Sequence, residues 1–344
     1  MAPPVAFIPR ATFPPIESIV KSYFLGHHKS GLTKMRQLLG SVELIIECRD
    51  YRVPLSSRNP MFEKNLVGRE RMIVYTKRDL GAESLDEKAC DCLTRETIRR
   101  WHRPQKVLFT DCKSDNDIKK VISYAKDIAK SVDNILGTRM MLAGMPNVGK
   151  SSLLNALRRV GMGKGKAAIT GGQPGVTRSI GTTVRICSDP DIMLLDTPGV
   201  FIPYVPNAET MLKLALVGCV KDTLIDPVTL CDYLLFRVNL VDPGLYSAYH
   251  TPTNDITQLL TATALQTGRL GKGGVPDLTA TAIWLIQRYR SGDLGRFILD
   301  DVDHKAFERR IQEEASEGQS ANQLRKEMKA ERAAHKASKA SSVD

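Results

Sequence analysis

The sequence predicts an α/β fold in which a mainly parallel sheet of six strands carries helices on both faces and is followed by a small all-helical domain. Up to about residue 202, short apolar runs typical of buried strands alternate with segments of helical periodicity. From residue 203 onwards the periodicity is helical only. Alternating strands and helices form parallel sheets, and such sheets bind their ligands at the carboxyl ends of the strands.

Short apolar runs predict strands at 42–48, 71–76, 106–109, 140–143 and 191–195, and the alternating pattern of 180–187 predicts a further strand. Helices are predicted at 85–101 and 116–132, and a further helix follows the fourth strand. The helical domain has segments of helical spacing at 207–221, 228–240, 255–263 and 278–290. The loops that follow the strands are therefore the places where a ligand site is expected.

The chain is predicted to divide into a leader (1–22), an α/β domain (23–202), a helical domain (203–305) and a basic polar tail (306–344). The leader has five prolines and one acidic residue, Glu17. Scarce acids are typical of a mitochondrial presequence, but the prolines would break its amphipathic helix, so a targeting role and a disordered leader both stay open. The tail is either a solvated, partly helical extension or an RNA-contacting one.

The composition indicates a soluble globular protein and argues against several other classes. Apolar residues make up 42% of the chain and charged residues 25%, as in soluble globular proteins, and no apolar run approaches the roughly 18 residues of a membrane-spanning helix. The seven cysteines include no C-x-x-C pair, which argues against a disulfide framework or a zinc site and favours a reducing compartment. The formal charge of +11 favours a polyanionic partner, which means nucleic acid or an anionic membrane face.

A glycine-rich loop lies between the fourth strand and the helix after it. Gly144, Gly149, Lys150 and Ser151 match the spacing G-x-x-x-x-G-K-[ST] of a phosphate-binding P-loop, in the strand–loop–helix context that this motif requires. The backbone N–H groups of such a loop surround a polyphosphate, its lysine reaches the β and γ phosphates, and its serine hydroxyl ligates Mg²⁺. The nucleotide-binding residues predicted here are Met145, Pro146, Asn147, Val148, Gly149, Lys150, Ser151 and Ser152.

Two further segments complete the predicted phosphate and metal site. The tetrapeptide DTPG, from Asp196 to Gly199, follows the sixth strand and fits the D-x-x-G motif. The aspartate of that motif holds the Mg²⁺ shell through water, and its glycine N–H bonds the γ-phosphate. Thr177, in the glycine-rich stretch after the P-loop helix, is predicted to ligate Mg²⁺ together with Ser151. The sequence thus predicts a loop that registers the third phosphate.

The predicted base is guanine. The tetrapeptide TKRD at 76–79 follows the second strand and resembles N-K-x-D, whose carboxylate accepts hydrogen bonds from N1–H and the 2-amino group of guanine. Adenine lacks these donors, so ATP would leave Asp79 unpaired at a cost of about 1–3 kcal/mol or more. The backbone N–H of Cys112, after the third strand, can meet guanine O6. The GTP-binding residues predicted in these two loops are Thr76, Lys77, Asp79, Asp111, Cys112 and Lys113.

The order of the motifs is unusual. In ordinary GTPases the P-loop comes first and the base-reading motif last, whereas here Asp79 and Cys112 precede Gly144. The sheet is therefore predicted to be circularly permuted, with the chain opened after DTPG. This order connects the γ-phosphate sensor directly to the helical domain, so loss of the γ-phosphate is expected to reorient that domain.

The motif order, together with FLGHH at 24–28, VPLSSRNP at 53–60, GMPNVGKS at 144–151, PGVTR at 174–178 and DTPG at 196–199, resembles the YlqF/RbgA family of permuted ribosome-assembly GTPases. Within that family the likeness is to the mitochondrial branch, for which LGRFILDD near the end is also typical. The resemblance runs from about Tyr23 to Asp301 and leaves out both ends of the chain.

The resemblance also implies how the attacking water is positioned. The residue after D-x-P-G is hydrophobic in that family, and here it is Val200, which cannot hydrogen-bond a water. The family uses an N-terminal histidine instead, which implies His27 as the catalytic residue, with His28 as a second candidate. Asn147 matches a P-loop asparagine that helps to hold K⁺ in place of an arginine finger. Thr76 replaces the usual asparagine, which implies guanine binding weaker by about 0.5–1.5 kcal/mol.

The leading hypothesis is a GTP-hydrolysing assembly factor that uses Mg²⁺, binds rRNA and proteins of the large ribosomal subunit, and couples hydrolysis to its release. Intrinsic turnover is expected to be slow because the histidine segment must be ordered by the particle. The implied location is the mitochondrial matrix, with peripheral association with the inner membrane, and the cytoplasm is the alternative. Competing hypotheses are a nucleotide-gated scaffold on RNA or membrane, in which hydrolysis is incidental, and a P-loop ATPase or kinase.

Overall fold

The computed structural model describes residues 7–15, 33, 35–60, 62, 68–81, 85–132, 137–168, 183–200, 205 and 207–314 of the 344-residue chain. Its sheet contains β1 (Leu44–Asp50), β2 (Glu70–Thr76), β3 (Lys106–Phe109), β4 (Thr138–Gly144), β5 (Thr183–Ser188) and β6 (Asp191–Leu195). The strand order is β3-β2-β1-β4-β6-β5. All neighbouring pairs are parallel except β5 and β6, which are antiparallel. The predicted six-stranded, mainly parallel sheet is confirmed.

The described helices of the α/β part are α1 (Leu85–Trp101), α2 (Asp115–Ser131) and α3 (Lys150–Met162). Those of the helical part are α4 (Ala208–Leu216), α5 (Pro227–Val241), α6 (Ile256–Thr267) and α7 (Leu278–Ser291). Residues 304–314 are also helical and belong to a second compact unit that begins at Asp303. None of the helices in the described ranges is both long enough and apolar enough to cross a membrane.

Both faces of the sheet are covered, which explains why its strands are so apolar. Leu44 and Ile46 of β1 belong to a large buried cluster that also contains residues of α2 and α3. Ile45, between them, belongs to a smaller cluster on the opposite face, with Met35 and Phe62 from helical segments. Successive side chains of a strand point to opposite faces, so a strand covered on both faces reads as a continuous apolar run.

Each helix of the helical part begins at a polar residue that caps it. The side chains of these residues accept a hydrogen bond from a backbone N–H two or three residues further on, and they are Asn207, Asp226, Asp255 and Asp277. Helix α4 ends at Leu216, five residues before the predicted end. The reason is Gly218, whose φ of +80° is in the left-handed region, where a helix cannot continue.

The sheet and the helical part share one apolar core. The large cluster joins strand residues such as Leu142 to Leu212, Tyr233 and Leu285 of the helical part, and residues up to Val302 form one compact unit. The helical part is therefore built directly onto the α/β part. The domain boundaries at 22, 202 and 305 stay predictions.

Candidate nucleotide-binding site

The P-loop connects the carboxyl end of β4 to the first residue of α3, as predicted. Lys150 opens the helix and is buried, with 6% of its surface exposed. Its ammonium group donates to the carbonyls of Met145 (2.6 Å) and Gly144 (3.3 Å). Burial lowers the pKa of Lys150, and the nearby Asp196 opposes that shift. The loop thus encloses a cation at the start of a helix, which is the arrangement that binds a polyphosphate.

Other residues of the loop contribute backbone rather than side chain. The side chains of Met145 and Val148 are fully buried in the large core cluster, so only their backbone groups can face a nucleotide. Next to them lies the DTPG segment. A Cβ atom on Gly199 would lie 2.5 Å from Pro146 Cα, which no side chain tolerates, so this position requires glycine. The N–H of Val200 donates to the Gly144 carbonyl at 3.1 Å. The predicted γ-phosphate sensor therefore lies directly against the P-loop.

Ser151 and Asp196 fit a magnesium ion. Ser151 Oγ donates to Asp196 Oδ2 at 3.1 Å, while Asp196 Oδ1 is buried and has no hydrogen-bond partner in the described part of the chain. Burial raises the pKa of this carboxyl, and Lys150 opposes the rise. A hydroxyl beside an orphaned carboxylate oxygen suits a hard divalent cation. Ser151 would ligate Mg²⁺, and Asp196 would hold its water shell.

The first two residues of the TKRD segment contact the P-loop rather than open space. Thr76 is fully buried, and its hydroxyl lies within hydrogen-bonding distance of the carbonyls of Val148 and Arg49. Lys77, with a left-handed φ of +56°, donates from Nζ to the Asn147 carbonyl at 2.8 Å. The threonine in place of the usual asparagine thus supports the P-loop backbone.

Asp79 lies beside the loop that follows β3. Its Oδ2 is 3.9 Å from Lys113 Nζ, and its charge contributes to the raised pKa of Cys112, which burial and Asp111 raise to about 12. Asp111 turns its carboxylate back onto its own loop, where Oδ1 accepts from the Lys113 N–H at 2.8 Å. The predicted base-reading residues from the two loops are therefore brought together.

One residue that sequence reasoning missed ties these two loops to each other. Asp117, in the first turn of α2, is buried, and its Oδ2 lies 2.8 Å from Nη2 of Arg78 and accepts from the Asp111 N–H at 3.2 Å. The helix start DNDI contains two acids, Asp115 and Asp117, so the sequence alone did not single out this one.

A cavity of about 300 Å³ lies between α3 and Cys112. Its lining includes two predicted GTP-binding residues, Cys112 and Ser152, together with Asn155 of α3 and the basic residues Arg159, Lys164 and Lys166. A cavity of this size, next to the base-reading residues and bordered by cations, suits part of a nucleotide, whose phosphates carry negative charge.

The sequence reasoning also missed Asp50, the last residue of β1. Its fully buried carboxylate accepts from Lys77 Nζ (2.8 Å) and from Arg52 Nη2 (2.9 Å) and Nε (3.0 Å). Burial alone would raise the pKa of this carboxyl, but Arg52 and Lys77 hold it well below its usual range. The adjacent charged residues Arg49 and Asp50 at the end of a predicted buried strand were the available signal. Asp50 fixes the lysine that supports the P-loop.

Val200 cannot serve catalysis through its side chain. It is fully buried in the smaller cluster, with Met35, Phe62 and Leu195. A residue at this position therefore faces apolar core. Three predicted residues, His27, the alternative His28 and Thr177, lie outside the described residues.

A family model and the most similar relatives all identify the chain as a GTPase. Residues 139–261 match the family described as 50S ribosome-binding GTPase. The chain is similar to Mitochondrial GTPase 1 of Schizosaccharomyces pombe, with 38% identity over 87% of this chain and 94% of the relative. It is also similar to Mitochondrial ribosome-associated GTPase 1 of Bos taurus, with 37% identity over 85% of this chain and 92% of the relative.

Solved structures agree on the fold. The chain resembles GNP-bound YlqF from T. maritima with a TM-score of 0.55 and 21% identity, over 79% of this chain and 97% of that one. GDP-bound YlqF gives a TM-score of 0.54 and 20% identity, over 77% and 97%. Both match the permuted order seen here, in which β1 to β3 precede the P-loop strand and the helical part follows. The chain therefore belongs to the mitochondrial GTPase 1 family of circularly permuted P-loop GTPases.

Proposed function

We propose that this GTPase acts in mitochondria as an assembly factor for the large ribosomal subunit, and that GTP hydrolysis is coupled to its release from the particle. The observation that carries the proposal is the direct hydrogen bonding between the phosphate-sensing loops and the helical part. A GTPase needs such a connection if the state of its nucleotide is to control what another part of the molecule binds.

The first connection is between the P-loop and the end of α4. Asn147 Nδ2 donates to the Gly218 carbonyl at 3.2 Å. A Cβ atom on Gly218 would lie 2.8 Å from that nitrogen, so the approach depends on glycine. Arg290 of α7 fastens the same turn, because its guanidinium donates to the carbonyls of Leu216 (2.9 Å) and Ala215 (2.8 Å).

The second connection runs from the γ-phosphate sensor through the buried loop 51–60. Asn59 Nδ2 donates to the Val200 carbonyl at 3.1 Å. In the middle of this loop, the backbone N–H groups of Leu55 and Ser56 donate to the carboxylate of Asp300 at 2.9 and 2.8 Å. A shift of the DTPG segment would therefore be passed to the end of the helical part through a loop that is itself buried.

The catalytic group is proposed to be His27. The burial of Val200 supports a water-positioning group from elsewhere in the chain, and His28 is the second candidate. K⁺ is proposed to bind at Oδ1 of Asn147, which would supply positive charge near the phosphates. Mg²⁺ supplies charge neutralisation at the phosphate oxygens when bound. Thr177 is proposed as its second protein ligand.

The location and partners are proposed from the relatives and the charge. The similar proteins are named mitochondrial, and some are named ribosome-associated. The formal charge of +11 suits rRNA, and it also suits an anionic membrane surface. We therefore propose the matrix as the compartment, with the large subunit as partner and with peripheral contact to the inner membrane.

The test is GTP hydrolysis by the full chain with and without mitochondrial large-subunit particles. The particles are expected to stimulate hydrolysis. The chain is also expected to co-sediment with the particles when a non-hydrolysable GTP analogue is bound, and not when GDP is bound. His27→Ala should lower the stimulated kcat by about 10²-fold and leave GTP affinity unchanged, and His28→Ala tests the second candidate. A loss of turnover in His28→Ala alone would move the catalytic assignment to His28. Binding that is equal with GDP and the analogue would contradict release by hydrolysis and favour the scaffold hypothesis.

A further inference from the structure

Residues 7–15, which the sequence placed in a leader, make specific contacts with the helical part. We infer that this segment, here named the strap (residues 7–15), is a permanent part of the folded protein and that any removal of a targeting peptide ends before Phe7.

The centre of the strap is Arg10. Its guanidinium forms a bidentate pair with Asp232 of α5, with Nη2 to Oδ1 at 2.7 Å and Nη1 to Oδ2 at 3.2 Å. Only 22% of each side chain is exposed. Nη2 also donates to the backbone carbonyl of Asp232 at 3.3 Å. Paired, planar contacts of this kind select arginine in one orientation, whereas a loosely attached leader would make single exposed contacts.

A second residue binds the strap through its backbone. The side-chain amide of Asn254 accepts from the Arg10 N–H at 3.3 Å and donates to the Ile8 carbonyl at 2.9 Å. Asn254 is itself fixed, because Asn239 Nδ2 donates to its Oδ1 at 3.3 Å. The strap backbone is therefore bound at two points by one side chain from the helical part.

The apolar contact of the strap is Phe13. Its ring lies edge-to-face with Tyr233 at 5.1 Å and is tilted against Phe236 at 5.6 Å. The Arg10 guanidinium lies 5.5 Å from the Phe13 ring and 5.9 Å from the Phe236 ring. Tyr233 and Phe236 belong to the main core. Removing the strap would uncover two core aromatic rings and leave the carboxylate of Asp232 without its guanidinium partner.

The docked strap also fixes where the next segment starts. Pro15 is its last described residue, and His27 follows twelve positions later in the sequence. Retention of the strap thus bears on the proposed catalytic segment, but the strap is held by its own contacts with the helical part, which do not depend on GTP hydrolysis.

Trypsin digestion of the full-length native chain tests the inference, because the Arg10–Ala11 bond is a tryptic site within the strap. Release of peptide 1–10 is followed by mass spectrometry. We expect slow release from the native chain and release at least about 10-fold faster from Asp232→Ala and Phe13→Ala, since proteolysis follows the population of the undocked strap. Asp127→Ala, an exposed carboxylate of α2, is the control and should match the native chain.

Cleavage after Arg237 in α5 reports global unfolding in the same digests and is expected to stay at the native rate. Equal release of peptide 1–10 from all four proteins would overturn the inference, and so would a rise that only accompanies cleavage after Arg237. The N-terminal peptide of the protein recovered from mitochondria gives a second readout. A mature terminus at or before Phe7 supports a retained strap, and a later one overturns it.

Discussion

Asp300 anchors the loop 51–60 to the helical part, so its neutralisation should loosen that contact measurably. In Asp300→Asn the shape of the side chain is kept and its charge is lost. The Asp300 side chain is only 4% exposed. Its carboxylate accepts three hydrogen bonds, from the Leu55 N–H, the Ser56 N–H and the Ser56 hydroxyl, at 2.9, 2.8 and 2.7 Å. Lys213 Nζ lies 3.4 Å from Oδ1.

The magnitude follows from these contacts. A hydrogen bond to a charged group contributes about 1.5–3 kcal/mol and a neutral one about 0.5–1.5 kcal/mol, so neutralising the acceptor costs about 1 kcal/mol for each of the three bonds. The amide must also direct its NH₂ group either at the two backbone donors or towards Lys213, which adds to the cost. An amide costs less free energy to bury than a carboxylate, which offsets part of the lost hydrogen-bond energy. We expect a net loss of about 2–3 kcal/mol in the free energy of unfolding.

Urea denaturation of the full chain measures this loss, and the neighbouring residue provides the control. The Asp301 side chain is 64% exposed and lies 3.9 Å from Arg237, so Asp301→Asn should change stability by less than about 1 kcal/mol. Indistinguishable unfolding free energies for the two variants would refute the claim that Asp300 fastens the loop.

Three further predictions concern the nucleotide site. Thr76→Val removes the hydroxyl that supports the Val148 carbonyl and should weaken GTP binding about 3- to 10-fold in nucleotide titrations. Thr76→Ser keeps the hydroxyl and should bind GTP normally, so equal affinities of the two variants would contradict the supporting role. Asp79→Asn should shift preference from GTP towards XTP by at least about 10-fold, because an amide can donate to the 2-oxygen of xanthine; unchanged preference in competition assays would remove Asp79 from the base site. Val200→Gln should lower stability by about 1–3 kcal/mol without raising turnover, since its site is apolar; faster hydrolysis would show that this position can orient water.

The fold was predictable because its signals are local. Central strands such as β1 and β4 are buried on both faces and therefore appear as apolar runs, and the P-loop residues are adjacent in sequence, so spacing alone identified Gly144 to Ser151. The permuted order was likewise readable from the positions of Asp79 and Cys112 before the P-loop. The helical part was found from its periodicity.

The contacts that the sequence could not predict join residues that are far apart in the chain. The strap has no periodicity, and its binding rests on Asp232, 222 residues from Arg10. Asp300 meets Leu55 across 245 residues. The end of α4 was placed five residues too late, at 221, because the apolar spacing continues through Cys219 and Val220 while the backbone turns at Gly218. A single sequence carries no sign of which distant polar groups meet.

The most direct test of the account is amide hydrogen exchange of the full chain bound to GDP or to a non-hydrolysable GTP analogue. If the third phosphate is read by loops bonded to the helical part, exchange should differ between the two states at residues 53–59 and at 216–220, besides the DTPG segment. Asn147→Ala should abolish the difference at 216–220 and leave that at 53–59. Exchange that depends on the nucleotide only around DTPG would contradict the coupling between the γ-phosphate and the helical part.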